Sequence, residues 1–267
     1  MHKIKISAVS YLNTKPFIYG LEQNEIINHI ELFQDIPSVV ASKLKSGKAT
    51  IGLVPTAVIP QIPSAKIITD YCIGSDGPVT SVCIYSQVKM EEVEAIYLDY
   101  QSRTSVELTR ILLKDHWKTN PQLVNAVYGY ENKISDATAG LIIGDRSLQL
   151  KSSYKFCYDL GEAWKKLTGL PFVYACWVAN EPLTEVFSAS FNQALKNGID
   201  RIPEVAKQNE FFYPGVDTFD YLMNKIKYPF TDLMRTGVDT FLAQMMTEET
   251  VFGNEPSFDV VESSLYK

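Results

Sequence analysis

Within its first 55 residues the chain alternates strand-like and helix-like segments, and that order narrows the fold more than any other feature. Lys3-Ile4-Lys5-Ile6-Ser7-Ala8-Val9 alternates polar and apolar side chains as a strand does, and Pro16 has the fixed φ that suits a first helical turn. Ile30-Glu31-Leu32-Phe33 reads as a second strand. Asp35-Ile36-Pro37-Ser38 opens a helix through Val39, Val40, Leu44 and Lys45, closed by Gly47, and Ala49-Thr50-Ile51-Gly52-Leu53-Val54 is a third strand. A β-α-β-α-β order implies a parallel sheet with right-handed crossovers, and in open α/β sheets ligands bind at the carboxyl ends of the strands. The stretch from Ser7 to Phe17 ends its strand at such a place, with Asn13 at the turn. The Asn13 amide offers a donor and an acceptor to a ligand there, or else caps the helix that follows.

The remainder keeps the alternation. Ile67-Ile68 and Val79 to Ser86 are strand candidates separated by the turn-rich Gly74-Ser75-Asp76-Gly77-Pro78. A second unit begins near Glu91, where Ala95 to Asp99 reads as a strand and Thr104 to Trp117 as an amphipathic helix with Val106, Leu108, Ile111 and Leu112 inward. Between them, Ser102-Arg103-Thr104-Ser105 combines hydroxyls, a helix N-terminus and a guanidinium, which suits a carboxylate ligand. The competing reading is an N-cap by Ser102 or Thr104 with Arg103 in solvent. Further strands are expected at Leu123 to Val127 and Gly140 to Asp145, the latter ending in a carboxylate that either orients a ligand or caps Arg146-Ser147-Leu148. The strongly apolar run Phe172 to Val178 carries the chain back to the first unit. From Glu181 onward the pattern is helical, with a long helix to about Asp200, breaks at Pro203 and Pro214, and a last helix from Thr231 to Met246. Two lobes joined by two strands are expected, 1–88 with 177–267 and 89–176.

Composition removes several function classes. The chain has 267 residues, 46% hydrophobic and 21% charged, enough apolar material for a core, and its net charge of −6 gives no general attraction to nucleic acid or anionic membranes. No stretch reads as a signal peptide or a membrane span, so a cytoplasmic protein is expected. Cys72, Cys83, Cys157 and Cys176 are widely spaced within apolar segments and read as reduced core residues, while three histidines, His2, His29 and His116, make a histidine-rich metal site implausible. Glycine-rich nucleotide loops, the Gly-x-Ser-x-Gly elbow and His-Glu-x-x-His are all absent. What remains is a set of polar loop residues, Asn13, Thr80, Ser81, Ser102, Arg103, Thr104 and Asp145, suited to a small polyanionic or hydroxylated molecule in a cleft.

Six segments in order resemble the chorismate dehydratase family of the futalosine route to menaquinone. They are Tyr11-Leu12-Asn13 with Pro16, Ile51-Gly52-Leu53-Val54-Pro55, Asp76-Gly77-Pro78-Val79-Thr80-Ser81, Ser102-Arg103-Thr104-Ser105-Val106, Ile143-Gly144-Asp145, and Asp159-Leu160-Gly161 with Trp164 and Thr168 to Val173. The resemblance covers roughly residues 4 to 178, while the last third matches in helical character alone. It implies an α/β, two-lobed type II periplasmic-binding-protein-like fold with the ligand cleft between the lobes. It further implies loss of water from chorismate to give 3-[(1-carboxyvinyl)oxy]benzoate, with no cofactor and no metal. The family's catalytic asparagine and serine fall on Asn13 and Ser81, and substrate binding is assigned to Tyr11, Thr80, Ser102, Arg103, Thr104 and Asp145. Lys15, beside Asn13, reads as either an attractor of anionic substrate or a solvated lysine. Arg146 departs from the family pattern, which has a small residue after the aspartate. Three alternatives carry their own requirements. The sister enzyme 1,4-dihydroxy-6-naphthoate synthase uses a catalytic histidine, a solute-binding protein needs export, and an effector-binding domain of a transcription factor needs a DNA-binding segment.

Overall fold

The alternation builds two sheets on one plan. In the computed structural model, which describes residues 3–150 and 154–252, β1 (Ile4–Val9) passes through α1 (Lys15–Glu22) to β2 (Ile30–Asp35), and α2 (Pro37–Lys45) leads on to β3 (Ile51–Pro55). β1 lies between β2 and β3 and is parallel to both, with Ile6 beside Leu32 and Ile51. After β4 (Lys66–Ser75) the chain leaves this sheet. β5 (Val82–Ser86), β6 (Ala95–Leu98), β7 (Gln122–Asn125), β8 (Thr138–Ile143) and β9 (Phe156–Asp159) form a second sheet, ordered β7-β6-β8-β5-β9. β10 (Phe172–Ala179) returns to the first, which runs β11-β4-β10-β3-β1-β2 with the short β11 (Lys227–Pro229) at its edge. The series β2-β1-β3-β10-β4 and β7-β6-β8-β5-β9 match pair by pair, first parallel, then parallel, then antiparallel twice.

Sheet membership changes between Ser75 and Val82 and again between Asp159 and Phe172. Val82–Ser86, which a boundary after residue 88 assigns to the first lobe, therefore pairs with β8 and β9 of the second sheet. Conversely, the start of β10, which a boundary at 177 assigns to the second lobe, pairs with β3 and β4. The reason is physical. Both segments are apolar throughout because they are covered on both faces, so their side chains read alike for either sheet and hydrogen-bond partners alone separate them.

Local chemistry explains most boundaries. Asp159 caps α5 (Leu160–Thr168) by accepting from the Glu162 N–H at 3.0 Å, and Gly169 ends that helix at φ 74°. α1 crosses the helix Glu185–Ile199 so closely that a Cβ on Gly198 would collide with the Pro16 carbonyl. The expected helix from Thr104 to Trp117 is regular only as far as Leu112. It then widens into a π turn, Leu113–Trp117, closed by Lys118 in the left-handed region at φ 59°. The C-terminal part is not wholly helical, since β11 and a second π turn, Tyr221–Lys225, interrupt it before the last helix, Asp232–Phe252. That helix sets Phe241 against Trp164 and Phe172 at ring-centroid distances of 6.2 and 5.1 Å. All four cysteines are free, and Cys157 is exposed rather than in the core because β9 is an edge strand. None of the described helices is long and apolar enough to cross a membrane.

Candidate active site

The carboxyl ends of β1 and β6 and the turns before β5 and after β8 converge on a narrow cleft that encloses about 60 Å³ and opens to solvent. Its polar wall contains Tyr11, Asn13, Ser81, Ser102, Arg103 and Thr104, set among Val9, Leu53, Ile73, Val79, Val82 and Ile143. Thr80 and Asp145, expected beside them, do not line it.

Asn13 sits in the single 3-10 turn between β1 and α1, and it does not cap the helix, whose N-cap position is held by Thr14. Its Nδ2 donates to the Tyr221 hydroxyl at 3.3 Å, its Oδ1 accepts from the Thr14 hydroxyl at 3.3 Å, and its backbone carbonyl accepts from the Tyr228 hydroxyl at 3.0 Å. Ser81, 1% exposed, lies on the opposite wall and accepts from the same Tyr221 hydroxyl at 2.8 Å. Two residues from different lobes therefore meet on one phenol.

The turn that presents Ser81 is held from behind. One oxygen of Asp159 accepts the backbone N–H of Val79 at 2.9 Å and of Thr80 at 2.7 Å, while the other caps α5. Burial pushes the Asp159 carboxyl up, and these backbone donors pull it back down. Thr80 is exposed, left-handed at φ 63°, and turns its hydroxyl onto the Val79 carbonyl at 2.6 Å. Its place is in the turn and not in the wall of the cleft.

Asp145 is a strut between the lobes. It is the first residue of its short helix, with Gly144 at the N-cap, and it accepts from the Leu12 N–H at 2.9 Å and from the Tyr213 hydroxyl at 2.8 Å. Burial raises its carboxyl, opposed first by the Leu12 N–H. Gly144 itself has φ 64° and ψ −145°, and a Cβ there would stand 2.7 Å from the Tyr11 ring. Glycine alone satisfies both conditions.

Tyr11 donates to the Gln101 side-chain carbonyl, and Gln101 Nε2 donates to the Tyr100 hydroxyl at 3.1 Å. The Arg146 guanidinium lies 5.0 Å from the Tyr100 ring centroid and donates to Asp99 at 2.5 Å and Glu131 at 2.6 Å. Asp99, 1% exposed, also accepts from the Gln101 N–H at 2.9 Å, the Tyr130 hydroxyl at 3.0 Å and the Ile143 N–H at 3.1 Å. Burial pushes the Asp99 carboxyl up and Arg146 draws it down, while the buried carboxylate holds Arg146 charged. The arginine that breaks the family pattern thus balances a charge beneath the cleft.

Ser102 accepts from the Ser105 N–H at 3.0 Å just ahead of α3 (Thr104–Leu112), whose N-cap position is held by Arg103. Thr104 donates to the Tyr174 carbonyl at 3.1 Å and accepts from the Ala57 N–H at 3.2 Å, a link across to the first lobe. Arg103 lines the cleft half-buried at the start of α3, with burial lowering its pKa and Glu107 opposing the shift. The Lys15 ammonium donates to Gln34 at 3.3 Å in an exposed pair and does not line the cleft. His29 is exposed, His116 packs beside Trp117 at 5.5 Å, and neither reaches the cleft; His2 lies outside the described residues. Among the described residues no group of three or more His, Cys, Asp or Glu is placed to hold a metal ion.

Sequence reasoning missed Asp99, Gln101, Asp159, Tyr213, Tyr221 and Tyr228 as members of this apparatus. Asp159, three residues before Glu162, had a readable helix-start signal. The tyrosines had none, because they lie in a segment whose pattern announces only helix.

Comparison with known proteins adds a family. Residues 4–247 match the family model described as menaquinone biosynthesis. A chorismate dehydratase from Thermus thermophilus is 24% identical over 217 residues, spanning 74% of this chain and 78% of that protein. Among solved structures, a protein from Archaeoglobus fulgidus superposes with a TM-score of 0.73 at 12% identity, covering 94% of this chain and 98% of that one. A Parabacteroides distasonis ABC transporter structure gives 0.64 at 18% identity, covering 97% and 98%. A Candida albicans protein described as having the generic periplasmic binding protein fold gives 0.61 at 11%, covering 96% and 92%. At such identities the structural likenesses show the fold, two α/β lobes of the periplasmic-binding-protein kind.

Proposed function

The chain belongs to the menaquinone biosynthesis family, and on that premise we propose that it dehydrates chorismate to 3-[(1-carboxyvinyl)oxy]benzoate in the cytosol. The observation that carries this reading is the meeting of Asn13 and Ser81 at one cleft, each with a hydrogen-bond donor not engaged by a described protein acceptor. The ring loses the proton on C3 and the hydroxyl on C4, the two leave together as water, and aromatisation supplies the driving force. Ser81 donates a hydrogen bond to the departing C4 oxygen and Asn13 holds the enolpyruvyl ether side, while a carboxylate of the substrate collects the C3 proton and passes it to the departing hydroxide, so that one water leaves. Arg103, at the N-terminus of α3, pairs with a substrate carboxylate. Hydrogen bonds from fixed donors in an apolar cleft gain strength from the low local dielectric, and positioning carries most of the rate. The sister activity that depends on a histidine gains no support from His29 or His116.

The test is to incubate the purified protein with chorismate and follow product mass and aromatic absorbance. Wild type should form a product lighter by one water, and Asn13→Ala and Ser81→Ala should each lower kcat by about 10²- to 10³-fold. Near-normal turnover by Asn13→Ala would sink the catalytic assignment, and chorismate bound but unchanged would favour a receptor.

A further inference from the structure

A phenol has one hydrogen, and at Tyr221 it has two partners. Asn13 Nδ2 can only donate, so at 3.3 Å the Tyr221 oxygen accepts, and its own hydrogen is committed to Ser81 Oγ at 2.8 Å. Ser81 Oγ, already accepting, has no acceptor for its own hydrogen among the described residues, and it lines the cleft. We propose that Tyr221 is a positioning residue that makes Ser81 a hydrogen-bond donor toward the substrate and fixes which way the Asn13 amide faces. This rests on the dehydratase reading and adds to it a third residue, supplied by the C-terminal segment.

Several features fit that role. Tyr221 is 3% exposed and stands behind the two cleft residues without lining the cleft itself. Burial raises its pKa, so the phenol keeps the hydrogen it donates throughout the neutral range. The residue opens the π turn Tyr221–Lys225, and such wide turns concentrate at functional sites because they displace one side chain from the helical register. The turn is anchored on its N-terminal side. Asp217 accepts from the Asp220 N–H at 2.8 Å, and Thr218 donates to the Ala206 carbonyl at 3.0 Å. Tyr228 fixes the Asn13 backbone independently, so the two tyrosines separate side-chain orientation from main-chain position.

Tyr221→Phe removes the hydroxyl and keeps the ring. Its kcat should fall roughly tenfold to a hundredfold with KM for chorismate nearly unchanged. In a Ser81→Ala background the same change should have a clearly smaller further effect, because the hydroxyl it orients is gone and only its contact with the Asn13 amide remains. Wild-type kcat in Tyr221→Phe, or an equal fold-loss in both backgrounds, overturns the inference. A fluorotyrosine placed at 221 provides a second arm that leaves packing intact. It keeps the donating hydroxyl and should hold kcat within a few-fold of wild type, and a loss as large as that of Tyr221→Phe counts against the role. If wild type binds chorismate without dehydrating it, the dehydratase reading falls and affinity decides. A roughly tenfold weaker Kd in Tyr221→Phe that shrinks in the Ser81→Ala background keeps the orienting role, and equal affinity removes it. If wild type does not bind chorismate at all, both ideas fall.

Discussion

The ends of β1 and β6 occupy equivalent places in two sheets of one design, yet different forces hold them. At the end of β1 the site residue Asn13 is fixed by neutral phenols, Tyr221 and Tyr228, and the ion pair nearby is partly open to water. There Asp35, 18% exposed, accepts from Ser7 at 2.7 Å and pairs with Lys43, 25% exposed, at 2.5 Å. At the end of β6 the charge is inside, with the Asp99 side chain 0% exposed against Arg146 and with Tyr100 and Gln101 leading from it to Tyr11. An ion pair with both members partly open to water can be broken at lower cost, because water replaces the lost partner. A buried one cannot, because the remaining charge has nothing to solvate it. One lobe therefore tolerates change at its charged position, and the other has its cleft geometry tied to an ion pair.

Arg146→Ala should break this contrast most severely. Leaving Asp99 buried without its partner should destabilise the protein by about 3–5 kcal/mol in urea denaturation at neutral pH. Burial without a guanidinium holds the Asp99 pKa above its unfolded value, so the folded state binds the proton more tightly and stability falls as pH rises through that range. The deficit against wild type should accordingly shrink as the pH is lowered from neutral. A deficit that does not change with pH would mean that lost packing, not charge, is responsible.

An intermediate effect is expected at Gly144, where the second lobe touches Tyr11 directly. Gly144→Ala imposes a side chain at φ 64° against the Tyr11 ring, and should cost about 1–3 kcal/mol while lowering turnover. Unchanged activity would show that the Tyr11 position matters little. Lys43→Ala marks the small end, with a loss of at most about 1 kcal/mol that shrinks further in high salt. A loss as large as that of Arg146→Ala would erase the distinction between the lobes.

Much of the layout was legible because it is written in local patterns. Alternation and proline placement located β1, α2 and β3 to within a few residues, and motif resemblance pointed to Asn13, Ser81 and Arg103, which the structure places in the cleft wall. Thr80 and Asp145 stand at the expected strand ends, but they serve backbone groups, Thr80 through its turn with Asp159 and Asp145 through the Leu12 N–H of the other lobe. A carboxylate at a strand end looks the same whether it faces a ligand, its own helix or a neighbouring lobe.

By itself the sequence determined the two-lobed α/β class, the strand ends that meet at the cleft and the residue types presented there, since periodicity and turn chemistry act over a few residues. Only the tertiary structure decided that β5 joins the second sheet, and that a tyrosine 208 positions from Asn13 joins it to Ser81. Hydrogen-bond partners across such distances are set by how whole layers pack, and no local pattern in the chain encodes them.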